Sequence, residues 1–393
     1  MAAIVENTGP STGSKPKAFD VIVVGVGSMG SAACYHLAKR GARVLGLEQH
    51  GIPHALGAHH GHSRMIRLAY YEHPDYVPLL GRAYTLWNEL EEESGQKLLH
   101  ITGGLYAGPS GAEIVAGSVK AAREHGLDHE CWDGADLRNR FPQFCLPEDY
   151  EAFFEPRAGF LVPEAAVSAH ATCALQRGAV LHGHEKVTEW KAMKWGVKVE
   201  TNKGAYSAGH VVFASGAWSG SLLGGSGIDL EVTRQTLAWF WPREPEMFQL
   251  GRFPCWFIET EPGYGHYGFP IMPGVPGLKI ALHKPGQVTT ADTVNRSVTA
   301  KDEAQVRWVL RDHLPKGEGP LLSIQTCLYT NSADSHFIVG PVPNQEHNNV
   351  SVACGFSGHG FKASSVVGEV LAELVLDGRS SLPTEFLSPQ RFQ

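Results

Sequence analysis

The segment Phe19-Asp20-Val21-Ile22-Val23-Val24-Gly25-Val26-Gly27-Ser28-Met29-Gly30 joins a short apolar run to glycines spaced G-x-G-x-x-G. The β-branched run at 21–24 is typical of a strand buried inside a parallel sheet. In this spacing Gly25 permits a sharp turn, Gly27 lets the backbone approach a pyrophosphate, and Gly30 lets a helix pack closely on the strand. The segment therefore predicts a strand, a tight turn and a helix whose first N–H groups face phosphates.

The residues that follow complete a βαβ unit. A helix is predicted over 31–40, ended by Gly41, and a second strand over 42–47 leads to Glu48. This carboxylate lies about 20 residues beyond the glycines, where it can accept hydrogen bonds from both hydroxyls of an adenosine ribose. Because a negative charge there disfavours a 2′-phosphate, the ligand expected is FAD or NAD rather than NADP. A glycine-rich turn in an ordinary α/β protein is the alternative interpretation.

Length and composition limit the class of protein. A chain of 393 residues predicts about two domains, and its 43% hydrophobic and 19% charged content is that of a globular protein. No run of about 18 apolar residues is present, so no membrane span is expected. The net charge of −7 disfavours a nucleic-acid partner but permits the binding of small anions.

The cysteines and the chain ends bear on location. Seven scattered cysteines without a CxxC pair favour a reducing compartment and no zinc site. Residues 1–18 are predicted to be a flexible tail, since they lack the apolar core of a signal peptide, and the final Arg391-Phe392-Gln393 is not a peroxisomal tripeptide. The cytoplasm is the expected location.

The loop at 53–67 holds four histidines and two arginines within fifteen residues. A metal site is not expected, because neither a carboxylate nor a cysteine stands among them. A cationic pocket for a cofactor or substrate is the favoured interpretation, because the loop directly follows the dinucleotide motif. A solvated polar loop is the alternative.

The remaining chain alternates between two kinds of segment. An amphipathic helix is predicted at 76–95. At 210–218 an apolar strand is followed by Ala-Ser-Gly-Ala-Trp, whose small residues let the backbone pass close to a cofactor, so the chain is expected to re-enter the nucleotide domain there. The stretch 231–324 carries aromatic strands between Pro/Gly turns, as in an antiparallel sheet. That sheet could cover a small-molecule site or serve packing alone. A second glycine-rich segment at 355–362 precedes a helix at 363–376, and two such helix N-termini suit FAD better than a nicotinamide.

From 19 to 393 the chain resembles the monomeric sarcosine oxidase family, which includes N-methyltryptophan oxidase and peroxisomal sarcosine/pipecolate oxidases. The motifs that carry the resemblance are His59-His60-Gly61 with Ser63-Arg64-Met65-Ile66-Arg67, Tyr267-Gly268-Phe269-Pro270, Gly277-Leu278-Lys279 with His283, Thr326-Cys327-Leu328-Tyr329-Thr330, and Gly355-Phe356-Ser357-Gly358-His359-Gly360-Phe361-Lys362.

The resemblance implies an α/β fold of the D-amino-acid-oxidase type, in which a Rossmann-like FAD-binding domain is interleaved with an antiparallel-sheet substrate domain. We expect the FAD domain to comprise 19–92, 155–228 and 325–393, and the substrate domain 93–154 and 229–324. The implied enzyme is a monomeric amine oxidase that acts on the C–N bond of a small secondary N-methyl amino acid and passes the electrons to O₂. Its products are formaldehyde, the demethylated amino acid and H₂O₂.

The resemblance also implies roles for individual residues. In similar enzymes the cysteine matching Cys327 carries the flavin as a thioether, and the lysine matching Lys279 is the oxygen-activating cation. The expected catalytic residues are Lys279, His60, Arg64, Tyr267 and His283. The expected substrate-binding residues are Arg67, Lys362 and Tyr329. The expected cofactor-binding residues are Gly25, Gly27, Ser28, Met29, Gly30, Glu48, Ser63, Arg64, Val187, Cys327, Gly358, Gly360 and Lys362.

Two departures leave the substrate open. His62 stands where relatives commonly have an acid or glutamine, and the region of Phe257 does not align cleanly. One alternative is an oxidase for a bulkier or cyclic amine, such as N-methyltryptophan, pipecolate or a glycated amino acid. Another is a flavin dehydrogenase that uses a different electron acceptor. A structural ion pair with Glu72 is the alternative role for Arg67.

Overall fold

The structure is a computed structural model that describes residues 18–343 and 345–393. The tail predicted at 1–18 lies outside the described residues, except for Ala18, which begins the first strand. The strands are β1 (Ala18–Val24), β2 (Val44–Leu47), β3 (Arg64–Ile66), β4 (Leu99–Ile101), β5 (Gly104–Pro109), β6 (Glu130–Asp133), β7 (Tyr150–Glu155), β8 (Gly159–Leu161), β9 (Val180–His182), β10 (Val187–Met193), β11 (Gly196–Thr201), β12 (Ala205–Phe213), β13 (Glu231–Phe240), β14 (Cys255–Glu261), β15 (Tyr264–Phe269), β16 (Leu278–His283), β17 (Val288–Thr289), β18 (Leu321–Asn331), β19 (Ile338–Pro341) and β20 (Val350–Cys354). The helices are α1 (Ser28–Lys39), α2 (Tyr76–Ser94), α3 (Glu113–Glu124), α4 (Gly134–Arg140), α5 (Pro163–Gln176), α6 (Ser219–Leu222), α7 (Ala300–His313) and α8 (Ser364–Asp377).

The first sheet contains the βαβ unit predicted from the glycine motif. Its order is β10-β11-β12-β1-β2-β9, with β20 beside β12 and β19 beside β20. Strands β9, β2, β1, β12 and β20 run parallel, as the apolar run at β1 predicts. Both faces of β1 are buried, because Val21 and Val23 belong to the core under the helices while Ile22 and Val24 belong to the core on the opposite face.

Helices α1, α5 and α8 cover one face of this sheet, and α1 packs against both of the others. A Cβ placed on Gly368 of α8 would lie 2.6 Å from Cβ of Ala32 in α1. The small residues at this crossing therefore allow the two helices to approach closely. Both helices therefore lie on one face of the sheet, and each follows one of the two glycine-rich motifs.

The second sheet is mostly antiparallel, as the aromatic stretch predicted. Its order is β17-β13-β16-β15-β14-β5-β7-β6, with β18 paired along β13, and only β14 and β5 run parallel. In a small antiparallel sheet of order β3-β8-β4, strand β3 holds Arg64, near the end of the loop at 53–67. The predicted domain boundary at 324/325 falls inside β18, and the division into two domains stays a prediction.

Two buried histidines in the helical layer lead to a prediction about acid stability. Burial, the first cause for each, lowers the pKa of His36 and of His170 to about 3, whereas an unfolded histidine titrates near 6.5. The unfolded chain therefore takes up these protons first as the pH falls. Above about pH 6.5 these histidines should not reduce the free energy of unfolding. Between about pH 6.5 and 3 the free energy of unfolding should fall by up to about 1.4 kcal/mol per pH unit for each histidine.

Urea unfolding from pH 7.5 to pH 4.5 measures this dependence. The variant His36→Gln lacks one of the two protonation sites, so its stability should decline less steeply with falling pH than that of the wild type. If the free energy of unfolding falls equally steeply with pH in the two proteins, His36 does not contribute to the loss of stability in acid.

Candidate active site

A long cleft runs from the β1–α1 turn to the edge of the second sheet. It encloses about 1420 Å³, including its mouth to solvent. Gly27 and Glu48 lie at one end, and Arg64, Tyr267 and Cys327 lie at the other. The cleft thus joins the dinucleotide motif to the positions that the sequence identified in the distant part of the chain.

The β1–α1 turn has the geometry that a phosphate requires. Gly25 has φ of +88°, and a Cβ there would lie 2.6 Å from the carbonyl oxygen of Ala214. A Cβ on Gly30 would lie 1.8 Å from the carbonyl oxygen of Gly25, so this glycine is needed for packing and does not itself line the cleft. Within the described residues no side chain caps α1 at Gly27, and its first N–H groups are free to bind an anion.

Glu48 is held rigidly at the same end of the cleft. Its Oε2 accepts a hydrogen bond from the N–H of Val26 at 2.9 Å, and its Oε1 accepts one from the N–H of His50 at 2.9 Å. Nε2 of His54 lies 3.6 Å from Oε1. Val187, at the start of β10, also lines this part of the cleft. A buried carboxylate fixed in this way can still accept hydrogen bonds from ribose hydroxyls with its remaining lone pairs.

His59 faces the helix N-terminus across the cleft. Its Nδ1 would lie 3.4 Å from a Cβ on Gly27, and its Nε2 is buried with no hydrogen-bond partner among the described residues. Burial, followed by the charges of His54 and His60, lowers the pKa of His59 to about 3. A buried ring nitrogen without a hydrogen-bond partner beside free backbone N–H groups indicates that a polar group belongs here.

Cys327 lies at the far end of the cleft, in β18. Its Sγ is 3.7 Å from Nη2 of Arg64. Burial raises the pKa of the Cys327 thiol, but His60 and Arg64 outweigh burial and lower it to about 7. Neither ring nitrogen of His60 has a hydrogen-bond partner of normal geometry in the described structure. The effect of His60 on the pKa of Cys327 therefore comes from its closeness to the thiol. Cys327 is therefore the reactive kind of cysteine, with substantial thiolate at neutral pH.

Lys279 is buried on β16, behind the loop that precedes β3. Its Nζ donates to the carbonyl oxygens of Gly61 at 2.6 Å and Ser63 at 2.8 Å, and to Oγ of Ser63 at 3.2 Å. Burial lowers the pKa of Lys279 well below its usual value, and Arg64 adds to that shift. Lys279, Ser63 and His60 do not line the cleft directly, whereas Arg64 does.

A second cavity of about 570 Å³, including its opening, adjoins the cleft. Arg64, Tyr267, Gly358 and Phe361 line both spaces, so the two are continuous. The remaining walls combine aliphatic side chains with cationic, acidic and aromatic ones, which include Arg67, Lys362, Glu72, Tyr71, Tyr106, Phe257 and His283. This is the chemistry of a pocket for a small zwitterion.

Arg67 is already paired in this structure. Its Nη2 donates to both carboxylate oxygens of Glu72, at 2.9 and 2.7 Å, and its Nη1 donates to the carbonyl oxygen of Ala69. The guanidinium carbon lies 4.5 Å from the ring centroid of Tyr70 and 4.7 Å from that of Tyr71. Burial lowers the pKa of Arg67, but Glu72 and the surrounding Tyr106, Tyr70 and Tyr71 together outweigh burial and raise it. The ion pair that the sequence left as an alternative is therefore present.

Lys362 belongs to a separate hydrogen-bonded group on the same wall. Its Nζ donates to the carbonyl oxygen of His359 at 2.8 Å and lies 3.4 Å from the hydroxyl of Tyr70, which is hydrogen-bonded to Nδ1 of His359. Burial, followed by the charge of Arg67, lowers the pKa of Lys362 to about 7. At neutral pH Lys362 is therefore only partly protonated, and an incoming carboxylate would favour its charged form.

Tyr267, His283 and Tyr329 meet where the two spaces join. Nδ1 of His283 is 3.0 Å from the hydroxyl of Tyr329. Burial lowers the pKa of His283 to about 3, so its ring is neutral. A Cβ on Gly358 would lie 2.3 Å from the Tyr329 ring, and one on Gly360 would lie 2.4 Å from Phe356. These glycines therefore serve the close packing that shapes the junction.

Several residues of the site could not be assigned a role from the sequence. Tyr71, Tyr106, Ile114 and Phe257 form the apolar wall of the second cavity. Tyr71 lies four positions after Arg67 and could have been suspected from that proximity. The others lie on distant elements, and only the folded sheet brings them to the cavity.

Residues 20–374 match the model of the family described as FAD dependent oxidoreductase. The chain belongs to this family. This FAD dependent oxidoreductase is 40% identical to the monomeric sarcosine oxidase of Streptomyces avermitilis over 375 residues, which cover 95% of this chain and 97% of that protein. It is 34% identical to the N-methyl-L-tryptophan oxidase of Salmonella enteritidis over 365 residues, covering 92% and 96% of the two.

Among solved structures, the FAD dependent oxidoreductase is similar to NikD, described as an unusual amino acid oxidase essential for nikkomycin biosynthesis. The TM-score is 0.83 at 27% identity, and the match covers 95% of this chain and 98% of that one. The predicted family resemblance and fold class are confirmed.

The cleft of this FAD dependent oxidoreductase fits its cofactor. The free N–H groups of α1, together with His59, could bind the pyrophosphate of FAD, and Glu48 could bind its ribose. Arg64 and Cys327 lie at the opposite end of the cleft. Within the described ranges, no group of three His, Cys, Asp or Glu side chains is placed to hold a metal ion. No helix of the described residues is long and apolar enough to span a membrane.

Proposed function

We propose that this FAD dependent oxidoreductase oxidises the C–N bond of a small secondary N-methyl amino acid such as sarcosine. The products are formaldehyde, the demethylated amino acid and H₂O₂, with O₂ as the electron acceptor. The observation that carries this proposal is the presence of two buried cations, Arg67 and Lys362, in one cavity that opens onto the cofactor cleft beside Arg64. The relatives' names support the same chemistry.

Bound FAD supplies the two-electron acceptor for this oxidation. The chain's own residues bind and orient the substrate. Arg67 presents a planar guanidinium that can make two hydrogen bonds to a carboxylate, and Lys362 adds a point charge. With the carboxylate fixed at these cations, the amine end is directed toward the junction at Tyr267. Tyr71, Tyr106 and Phe257 exclude water from the apolar part of the substrate.

A bulkier N-substituted amino acid is the second candidate. The cavity of about 570 Å³ and its wall of Ile114, Phe257 and Tyr71 offer apolar surface that sarcosine has too few atoms to cover. The N-methyl-L-tryptophan oxidase among the relatives supports this candidate. A panel of amines, scored aerobically by O₂ consumption and by H₂O₂ formed, separates the two. Sarcosine should give the highest kcat/KM, and a higher value for N-methyltryptophan or pipecolate would favour the second candidate.

We also propose that Cys327 carries the flavin covalently. Its thiol is buried at the end of the cleft, and Arg64 and His60 favour its thiolate form. Protein precipitated with acid should therefore remain yellow, and the variant Cys327→Ser should release its flavin into the supernatant. The variant Cys255→Ser, at another buried cysteine of the second sheet, is the matched control. A colourless wild-type pellet would contradict covalent attachment.

Two coarser properties complete the proposal. We expect a monomer, since the sarcosine oxidases among the relatives carry that word in their name. We also expect a cytoplasmic location, from the cysteine usage described above. Analytical ultracentrifugation of the holoprotein tests the first expectation, and fractionation of the source cells tests the second.

A further inference from the structure

The short loop between His60 and Arg64 has an uncommon backbone conformation. Gly61 has φ of 102° and His62 has φ of 65°, so two consecutive residues are left-handed. A Cβ on Gly61 would lie 2.6 Å from Cδ1 of Leu237. A left-handed histidine costs conformational energy, so the surrounding structure must hold the loop in place.

Glu164 holds this loop from one side. It lies in the first turn of α5, and its Oε1 accepts hydrogen bonds from the N–H groups of Gly61 at 2.6 Å and His62 at 3.1 Å. Burial raises the pKa of Glu164, but these backbone hydrogen bonds outweigh burial and lower it. The carboxylate is therefore charged at neutral pH.

Lys279 holds the loop from the other side. Its Nζ donates to the carbonyl oxygen of Gly61 at 2.6 Å. That carbonyl and the N–H of His62 belong to one peptide group, so a single peptide bond separates the carboxylate of Glu164 from the ammonium of Lys279. Each charge polarises the peptide in the direction that favours the other.

The other groups that face Lys279 do not replace this interaction. Arg64 disfavours the charged form of Lys279, while Glu164, Cys327 and Cys255 favour it. Burial raises the pKa of Cys255 to about 12, which keeps it a neutral thiol, and the thiol of Cys327 is the proposed flavin attachment. Nδ1 of His62 lies 3.9 Å from Oε1 of Glu164, and the His62 side chain is partly exposed to solvent. Glu164 is thus the carboxylate that opposes the effect of burial on the pKa of Lys279, and burial remains the larger effect.

We propose that Glu164 is a positioning residue that keeps Lys279 charged and in place through the peptide group between Gly61 and His62. The proposal rests on the proposed function, because Lys279 is the cation expected to assist the reaction with O₂. Glu164 itself reaches neither the cleft nor the second cavity.

The charge of Lys279 can be measured without turnover. Holoprotein labelled with ¹³C at lysine Cε is titrated by NMR, and the signal of Lys279 is assigned by its absence in Lys279→Met. The variant Glu164→Gln keeps the shape but loses the charge, so the Lys279 titration should move to lower pH. Glu164→Asp keeps the charge and should restore most of the shift. An unchanged titration in Glu164→Gln would overturn the proposal.

Glu155 provides a matched control. It is also a buried carboxylate that accepts from two consecutive backbone N–H groups, those of Leu68 at 2.7 Å and Ala69 at 3.0 Å. The variant Glu155→Gln removes a similar backbone clamp and should leave the Lys279 titration unchanged. If it moves that titration as much as Glu164→Gln does, loosening of the backbone rather than the charge of Glu164 is responsible.

Stopped-flow reoxidation separates this inference from the proposed function. At a pH where the lysine of Glu164→Gln has lost its proton and that of the wild type has not, reoxidation of this variant by O₂ should slow toward the loss expected for Lys279→Met, about 100- to 1000-fold. In a Lys279→Met background, Glu164→Gln should have no further effect, whereas additive losses would overturn the proposal. If Glu164→Gln shifts the Lys279 titration while Lys279→Met is reoxidised at the normal rate, Glu164 controls the charge of Lys279 as proposed. That result would instead contradict the role of Lys279 in the reaction with O₂.

Discussion

Replacing Lys279 with methionine is expected to slow reoxidation of the reduced enzyme by O₂ by about 100- to 1000-fold, the usual loss when one fixed charge-stabilising donor is removed. Lys279 is buried close to Arg64, and its Nζ donates to three oxygen acceptors, the number that a protonated amine can serve, so the group is held in place before the reaction begins. Negative charge develops on O₂ only in the oxidative half of the cycle. Reduction by substrate should therefore change by less than about tenfold.

Stopped-flow measurement of each half-reaction tests this expectation. Lys284→Met is the matched control, because Lys284 follows the same strand but pairs with Glu261 at the protein surface. It should leave both half-reactions unchanged. Equal losses in the two half-reactions of Lys279→Met would contradict a role in the oxygen step and indicate a general packing defect.

The second large effect is expected at the substrate carboxylate. Removing one partner of a desolvated charge pair costs about 2–5 kcal/mol, so Arg67→Ala should lower kcat/KM for sarcosine by roughly 30-fold to several thousand-fold. With the wild-type enzyme, a sarcosine analogue whose carboxylate is replaced by an amide should show a similar loss of kcat/KM. With Arg67→Ala, the same replacement should lower kcat/KM little further. Losses that simply add would show that Arg67 does not contact the carboxylate.

The observed ion pair gives this prediction a second test. If pairing with Glu72 were the only role of Arg67, Glu72→Gln would reproduce the loss seen in Arg67→Ala. If Arg67 binds the substrate, Glu72→Gln should instead retain or improve binding, because a competing carboxylate has been removed. Arg82→Ala is the matched control, since Arg82 makes a similar pair with Glu369 outside the cavity.

The nucleotide end of the site was predictable because its signals are local. The spacing of Gly25, Gly27 and Gly30 predicts the turn, and the position of Glu48 at the end of β2 follows from the length of one βαβ unit. The amphipathic pattern at 76–95 likewise predicted α2, which the structure places at Tyr76–Ser94. Periodicity over a few turns is sufficient for such elements.

The substrate end was predictable only in part, because its residues meet through long-range contacts. Nothing in the sequence near Tyr106 or Phe257 indicates that β5 and β14 pair and bring both rings to one cavity. The link between Glu164 and Lys279 depends on the left-handed conformation of His62, which is uncommon for a residue other than glycine and which the sequence pattern does not indicate. Proximity alone gave Glu72 as a candidate partner of Arg67, and the contact was found.

The central claim is that sarcosine or a similar N-methyl amino acid reduces the bound flavin and that O₂ reoxidises it. Mixing the holoenzyme with sarcosine in the absence of air, followed by admission of air, tests this claim most directly. The account predicts that the flavin absorbance is lost and then restored by air, with equal amounts of formaldehyde and H₂O₂ released. A flavin that no N-methyl amino acid reduces, or one that an electron carrier reoxidises but O₂ does not, would contradict it.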